Sequence, residues 1–120
     1  MKISLVITTY NWPEALELVL LSLLKQSVLP CEILIADDGS TQNTKQLIKS
    51  YSGKFVSGIN HIWQNDEGFQ KTSILNKSIA KATGDYIIQI DGDIIIHNHF
   101  IMDHVKKAKK GFFIHGSRTF

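Results

Sequence analysis

The chain has 120 residues, 43% hydrophobic and 20% charged, and a net charge of +2 with the histidines neutral. That length makes one domain with room for a real core, short for a complete two-substrate enzyme, and that charge is too small to argue for a nucleic-acid partner. The lone cysteine, Cys31, excludes an internal disulfide and a multi-cysteine zinc site, a usage that points to the cytosol.

The chain opens on an apolar run that matches a secretory leader for only a few residues, because Thr8-Thr9-Tyr10-Asn11 ends it early. It reads instead as a first strand over residues 3–8. Asn11 is then placed to cap a helix with Pro13 in its first turn, running to about residue 26. This helix is apolar on nearly every face from Leu16 to Leu24, which predicts burial or a covering partner. Its apolar stretch, residues 15–24 with Glu17 inside, is too short to span a bilayer.

A second strand over residues 32–36 leads into Asp37-Asp38-Gly39-Ser40, where Ser40 is placed to cap a polar helix ending near Tyr51. A weaker strand is expected over 59–63, then a polar loop over 64–69 with one aromatic, Phe69. A third helix spans 71–82 with Gly84 as its stop. A fourth strand ends at Asp91, a helix near 99–109 stops at Gly111, and 112–115 make a last strand. Strands and helices alternate throughout, so the expected fold is α/β, a mostly parallel sheet flanked by helices. The chain stops soon after a strand with no closing helix, and is read as the front part of something longer. Lys106, Lys107, Lys109 and Lys110 read as a solvated helix end, with an anionic-lipid contact as the sharper alternative.

Strands this apolar belong in parallel sheets buried on both faces, and such sheets bind ligands beyond the carboxyl ends of their strands. Asp37, Asp38, Asp91 and Asp93 all fall at that edge, where they repel unless a cation or a proton-rich ligand joins them. In Asp91-Gly92-Asp93 the carboxylates are alternate residues and can face one way, while Gly92 lets the backbone approach a ligand. Hard oxygen ligands suit Mg²⁺ or Mn²⁺ shared with phosphates; the plain alternative is a turn with solvated aspartates. Asp37 and Asp38 can accept hydrogen bonds from a base N–H or a ribose hydroxyl, or can simply make a β-to-α turn. Thr8, Thr9, Tyr10 and Asn11 offer polar contact and ring stacking to a nucleotide, against ordinary capping by Asn11. Lys71 near a helix start calls for an anion, which a phosphate would supply, and Asn76 lies five residues on. The histidines show no His-x-x-x-His pair and read as structural or solvated, with His97 alone kept as a possible support for a metal ligand.

Four segments in order resemble the family 2 glycosyltransferases of the GT-A (Rossmann-like) fold. They are Val6-Ile7-Thr8-Thr9-Tyr10-Asn11, Ala36-Asp37-Asp38-Gly39-Ser40, Leu75-Asn76-Lys77-Ser78-Ile79, and Gly84-Asp85-Tyr86-Ile87 running into Asp91-Gly92-Asp93. The resemblance covers almost all of the chain, and Gly68-Phe69-Gln70-Lys71 with Gly116-Ser117-Arg118 is similar to a bacterial branch that builds surface polysaccharide or lipopolysaccharide. It implies that residues 1–120 are the donor-binding part of a hexosyltransferase-like enzyme, incomplete at the C-terminus. The donor is a nucleotide-diphospho-sugar, a UDP-sugar first. The implied donor-binding residues are Thr8, Thr9, Tyr10, Asn11, Asp37, Asp38, Lys71, Asn76, Asp91 and Gly92. Thr8 and Tyr10 line the nucleotide pocket, Asp38 with Asp37 holds the uracil and ribose side, and Lys71 stands where relatives often carry arginine. Asp93 with Asp91, the DXD motif, holds Mn²⁺ or Mg²⁺ on the diphosphate.

The family transfers its sugar with inversion to an acceptor hydroxyl, here a glycan, helped by an Asp or Glu base. That base is expected beyond Phe120, so the 120 residues alone are expected to be inactive. A cytoplasmic protein follows, at the inner face of the membrane in the peripheral sense. The apolar first helix implies self-association if nothing covers it. Two rivals stand beside this reading. One is a non-catalytic nucleotide-sugar-binding module on the same fold. The other is a receiver-like signalling domain, disfavoured because its acidic residues should follow strand one. A dinucleotide oxidoreductase lacks its Gly-x-Gly-x-x-Gly after that strand.

Overall fold

The computed structural model describes residues 2–107, and the backbone of residues 113–115. Strands and helices alternate as β1 (Ile3–Thr9), α1 (Pro13–Leu24), β2 (Glu32–Asp37), α2 (Gln42–Ser52), β3 (Asn60–Trp63), α3 (Lys71–Lys81), β4 (Tyr86–Asp91), α4 (Phe100–Lys107) and β5 (Phe113–His115). The strands form one sheet in the order β3-β2-β1-β4-β5, and every neighbouring pair is parallel. The expected α/β fold is the one observed.

Side chains alternate across the sheet, so the central strands β1, β2 and β4 feed two cores. Ile3, Leu5 and Ile7 of β1, with Ile33, Ile35, Ile88 and Ile90, pack against Leu16, Val19, Leu20 and Leu23 of α1, Ile48 of α2 and Ile101 of α4. Val6, Leu34, Ala36 and Ile62 point to the other face, where Ile74 of α3 covers them. Burial on both faces is the reason the strands read as unbroken apolar runs.

The chain moves outward from β1 to β2 to β3, and α3 then returns it to β4 on the far side of β1. Strand order therefore reverses between β1 and β4, and a crevice opens there beyond the carboxyl ends. The register sets Thr8 beside Asp91 and Thr9 beside Asp37. The first half of the chain and the last are thus joined at the edge where the polar residues gather.

Several local expectations are corrected. Asn11 does not cap α1, whose cap position is Trp12 without a side-chain bond. Asn11 instead takes a left-handed φ of 44°, which asparagine tolerates better than most residues. Its Oδ1 accepts the Thr41 N–H at 2.8 Å, and its own N–H donates to Ser40 Oγ at 2.8 Å. Ser40 is likewise not the cap of α2; Thr41 holds that position. The two residues tie the loop after β1 to the loop after β2. Gly84 does not end α3 in a left-handed turn, since α3 closes on an extended Ala82. Gly84 is needed because a Cβ there would strike Ser4. Among the described residues α1 is covered on one side, with Leu18 52% and Leu21 40% exposed. Gly111, Lys109, Lys110 and Gly116-Ser117-Arg118 lie outside the described residues. No helix among the described residues is long and apolar enough to cross a membrane.

The opposite, amino-terminal edge of the sheet is closed by Glu32. Its carboxylate accepts Ser4 Oγ at 2.7 Å and the Thr83 N–H at 2.8 Å, and Gly84 N–H completes the chain on Ser4 Oγ at 2.8 Å. Burial pushes the Glu32 carboxyl up, but the donors from Thr83 and Ser4 outweigh it and hold the group below its ordinary value. A carboxyl lowered by folding adds stability above its unfolded pKa and loses it as pH falls through the folded one. Glu32→Gln is therefore expected to lower the urea midpoint at pH 7, with the gap to wild type closing below about pH 4. A gap independent of pH would show that the carboxylate charge is irrelevant.

Candidate functional site

The β1/β4 switch point carries a cleft of about 350 Å³, within the size range of small-molecule sites. Thr8, Thr9, Tyr10 and Trp12 form its wall after β1, and Asp38 follows β2. Asp91, Gly92 and Asp93 line the side after β4, while Asp66, Gly68, Phe69 and Lys71 arrive from the β3–α3 connection. Carboxylates separated by as many as 55 positions in sequence, Asp38 and Asp93, thus face one cavity. Residues beyond the sequence reading also line it: Trp12, Asp66 and Phe69. The signal for Phe69 was a lone aromatic in a polar loop; it is 85% exposed.

Asp91 is held by three donors that meet on one oxygen. Lys71 Nζ lies 2.7 Å, Thr8 Oγ1 3.0 Å and Gln89 Nε2 3.4 Å from Oδ1. Lys71 is the first residue of α3, where a cation opposes the helix dipole, and Asp91 is the anion that offsets it. A carboxylate of the chain thus meets the demand for an anion that the sequence reading gave to a phosphate. Thr8 reaches Asp91 because the sheet register pairs them.

Asp38 is nearly buried, and the β3–α3 connection binds both its oxygens: Gln64 Nε2 at 2.8 Å on Oδ1 and the Gln70 N–H at 2.7 Å on Oδ2. Across the cleft, Tyr10 donates its hydroxyl to Asp66 Oδ2 at 2.6 Å, which raises the phenol above its ordinary pKa. The loop is seated from below by Gly39, whose φ is +102°; a Cβ there would lie 2.5 Å from the Asp66 nitrogen.

Three expected site residues stand elsewhere. Asp37 turns away from the cleft, wholly buried, and accepts the Ser40 N–H at 2.8 Å and His61 Nε2 at 2.8 Å. Asp37 is the last residue of β2 and Asp38 the first beyond it, and adjacent residues of an extended chain face opposite ways. Asn11 ties the two loops as described. Asn76 is exposed and does not line the cleft, because five residues along α3 turn it about 140° from Lys71. Gly92 does line it, and its lack of a side chain makes room for the Thr8 carbonyl.

The charge in the cleft is lopsided. Among the described lining residues Asp38, Asp66, Asp91 and Asp93 face a single cation, Lys71. No group of three or more His, Cys, Asp or Glu residues converges as a metal nest among the described residues. The donor set that is present, a carboxylate or two at the end of β4, fits an ion that takes most of its ligands from phosphate and water.

Residues 4–120 match the family model for glycosyl transferase family 2, and the chain belongs to that family. Over 93 residues it is 32% identical to the hyaluronan synthase of Pasteurella multocida, covering 77% of this chain and 9% of that protein. Chondroitin synthase of the same species is 30% identical over 93 residues, with the same coverage of 77% and 9%. The crystal structure of S. aureus TarS 1–349 in complex with UDP-GlcNAc superposes with a TM-score of 0.73 at 28% identity, covering 88% of this chain and 30% of that one. The fold is thus that of the GT-A glycosyltransferases, and the chain spans a third or less of these relatives. The receiver-like alternative falls with the family assignment.

Gly39→Ala forces a left-handed Ala against the Asp66 backbone and is expected to cost about 2–4 kcal/mol in urea unfolding. Gly53→Ala, at a right-handed position with open space around it, serves as the control and is expected to change little. Equal stability of the two variants would mean that the loop does not rest on Gly39.

Proposed function

We propose that this chain binds the donor of a glycosyltransferase, a nucleotide-diphospho-sugar with UDP as its nucleotide, for inverting transfer to a glycan hydroxyl in surface-polysaccharide synthesis. The observation that carries this reading is the convergence of Asp38, Lys71, Asp91 and Asp93 on one cleft at the β1/β4 switch point. The likeness to TarS, solved in complex with UDP-GlcNAc, supports the donor class.

In this reading Asp38 accepts the imide N–H of the base, and Thr8, Thr9 and Tyr10 flank the nucleoside. Lys71 faces the diphosphate while keeping Asp91 neutralised. Asp93, with Asp91 beside it, would hold Mn²⁺ or Mg²⁺. Such an ion, when bound, offsets the negative charge that grows on the departing diphosphate. The excess of carboxylates around one lysine would otherwise repel a diphosphate, so a cation is the charge that the site asks for. No residue of the chain is assigned as the acceptor's base. Transfer by these 120 residues alone is expected to be absent, and binding to persist.

Titration calorimetry tests the assignment. UDP is expected to bind the full chain, with Mn²⁺ tightening the complex about tenfold or more, a gain of about 1.4 kcal/mol. Asp93→Ala is expected to abolish the metal effect, and Asp38→Ala to weaken UDP with or without metal. Binding indifferent to both Mn²⁺ and Asp93→Ala would sink the metal assignment. Absence of any UDP binding would sink the donor reading as a whole.

A further inference from the structure

Gln64 follows β3 and extends its ladder by one bond, its N–H donating to the Asp37 carbonyl at 3.2 Å. With its backbone fixed, its side chain lies between α3 and Asp38. Nε2 donates to Asp38 Oδ1 at 2.8 Å and to the Gln70 carbonyl at 3.1 Å. Oε1 accepts Lys77 Nζ at 2.9 Å and Ser73 Oγ at 3.4 Å. A lysine only donates and a carboxylate only accepts, so these partners decide which way round the amide sits. Asp38 is 5% exposed, and a carboxylate so buried keeps one orientation only while donors hold it.

We infer that Gln64 is the positioning residue for Asp38, and that Lys77 acts through it by locking the polarity of the amide. This rests on the donor-binding reading above. Each oxygen of Asp38 retains acceptor capacity beyond its one protein donor, and Gln64 sets the direction in which Oδ1 offers it to a base N–H. Neither Gln64 nor Lys77 lines the cleft, so their influence on a ligand passes through Asp38. The resulting chain, ammonium to amide to carboxylate, is a row of aligned donors in which each bond strengthens the next.

The test uses the full chain, with UDP and inorganic pyrophosphate as separate calorimetric probes in the presence of Mn²⁺. Gln64→Leu is expected to weaken UDP about tenfold and Lys77→Met about threefold. Pyrophosphate, which has no base, should bind both variants as it binds wild type. In an Asp38→Ala background Gln64→Leu should add nothing further, because its route to the ligand is gone. Lys77 is exposed, so Lys77→Met keeps its fold and carries the test even where Gln64→Leu lowers the melting temperature. Unchanged UDP affinity in both variants, full additivity with Asp38→Ala, or equal losses for UDP and pyrophosphate would each overturn the inference. A wild-type chain that fails to bind UDP would instead overturn the donor reading and this inference with it.

Discussion

Parallel pairing of β1 with β2 on one side and β4 on the other governs where every chemically active residue falls. Pairing sets the register, and the register puts Thr8 against Asp91 and Thr9 against Asp37. Because all the strands run the same way, their polar ends share one edge. Because strand order reverses beside β1, that edge has a gap for a ligand. The apolar interiors of β1, β2 and β4 supply the energy for this arrangement through burial on both faces.

The electrostatics of the cleft follow from that geometry. Four carboxylates along one edge would be hard to hold apart from any compensation. The protein offsets part of the cost internally: Lys71 sits on Asp91, and amide groups of Gln64 and Gln70 hold Asp38. The remaining negative field is what makes a divalent ion and a diphosphate a matched pair of ligands in the proposed function. Tyr10 and Asp66 close the opposite wall, so the β3–α3 connection is fastened to Asp38 at both ends and to Tyr10 between them.

That connection was the least legible part of the chain. Residues 64–69 read by pattern as a polar loop with one aromatic, since neither alternation nor helical period marks them, and Gly68-Phe69-Gln70-Lys71 carried only a likeness to one branch of the family. Their importance comes from partners distant in sequence: Asp38, Tyr10 and Gly39. From β1 to β4 the strands and helices, by contrast, fall within a residue or two of the expected bounds, α1 ending at Leu24 rather than near residue 26. Local sequence points Asn11 and Ser40 each to the helix that follows it, whereas each reaches across to the other's loop.

The alternation of apolar runs with polar turns was enough to establish an α/β domain, a parallel sheet and an edge rich in aspartate, because those depend on short-range periodicity. Adjacent aspartates could not be told apart in that way. Asp37 and Asp38 are chemically identical, and only the path of the chain where β2 ends sends one toward His61 and the other into the cleft. Whether Lys71 would meet a carboxylate, and what would hold Asp38, waited on contacts between residues that the chain keeps 20 or more positions apart. Side-chain identity states which bonds a residue can make; packing selects the partner.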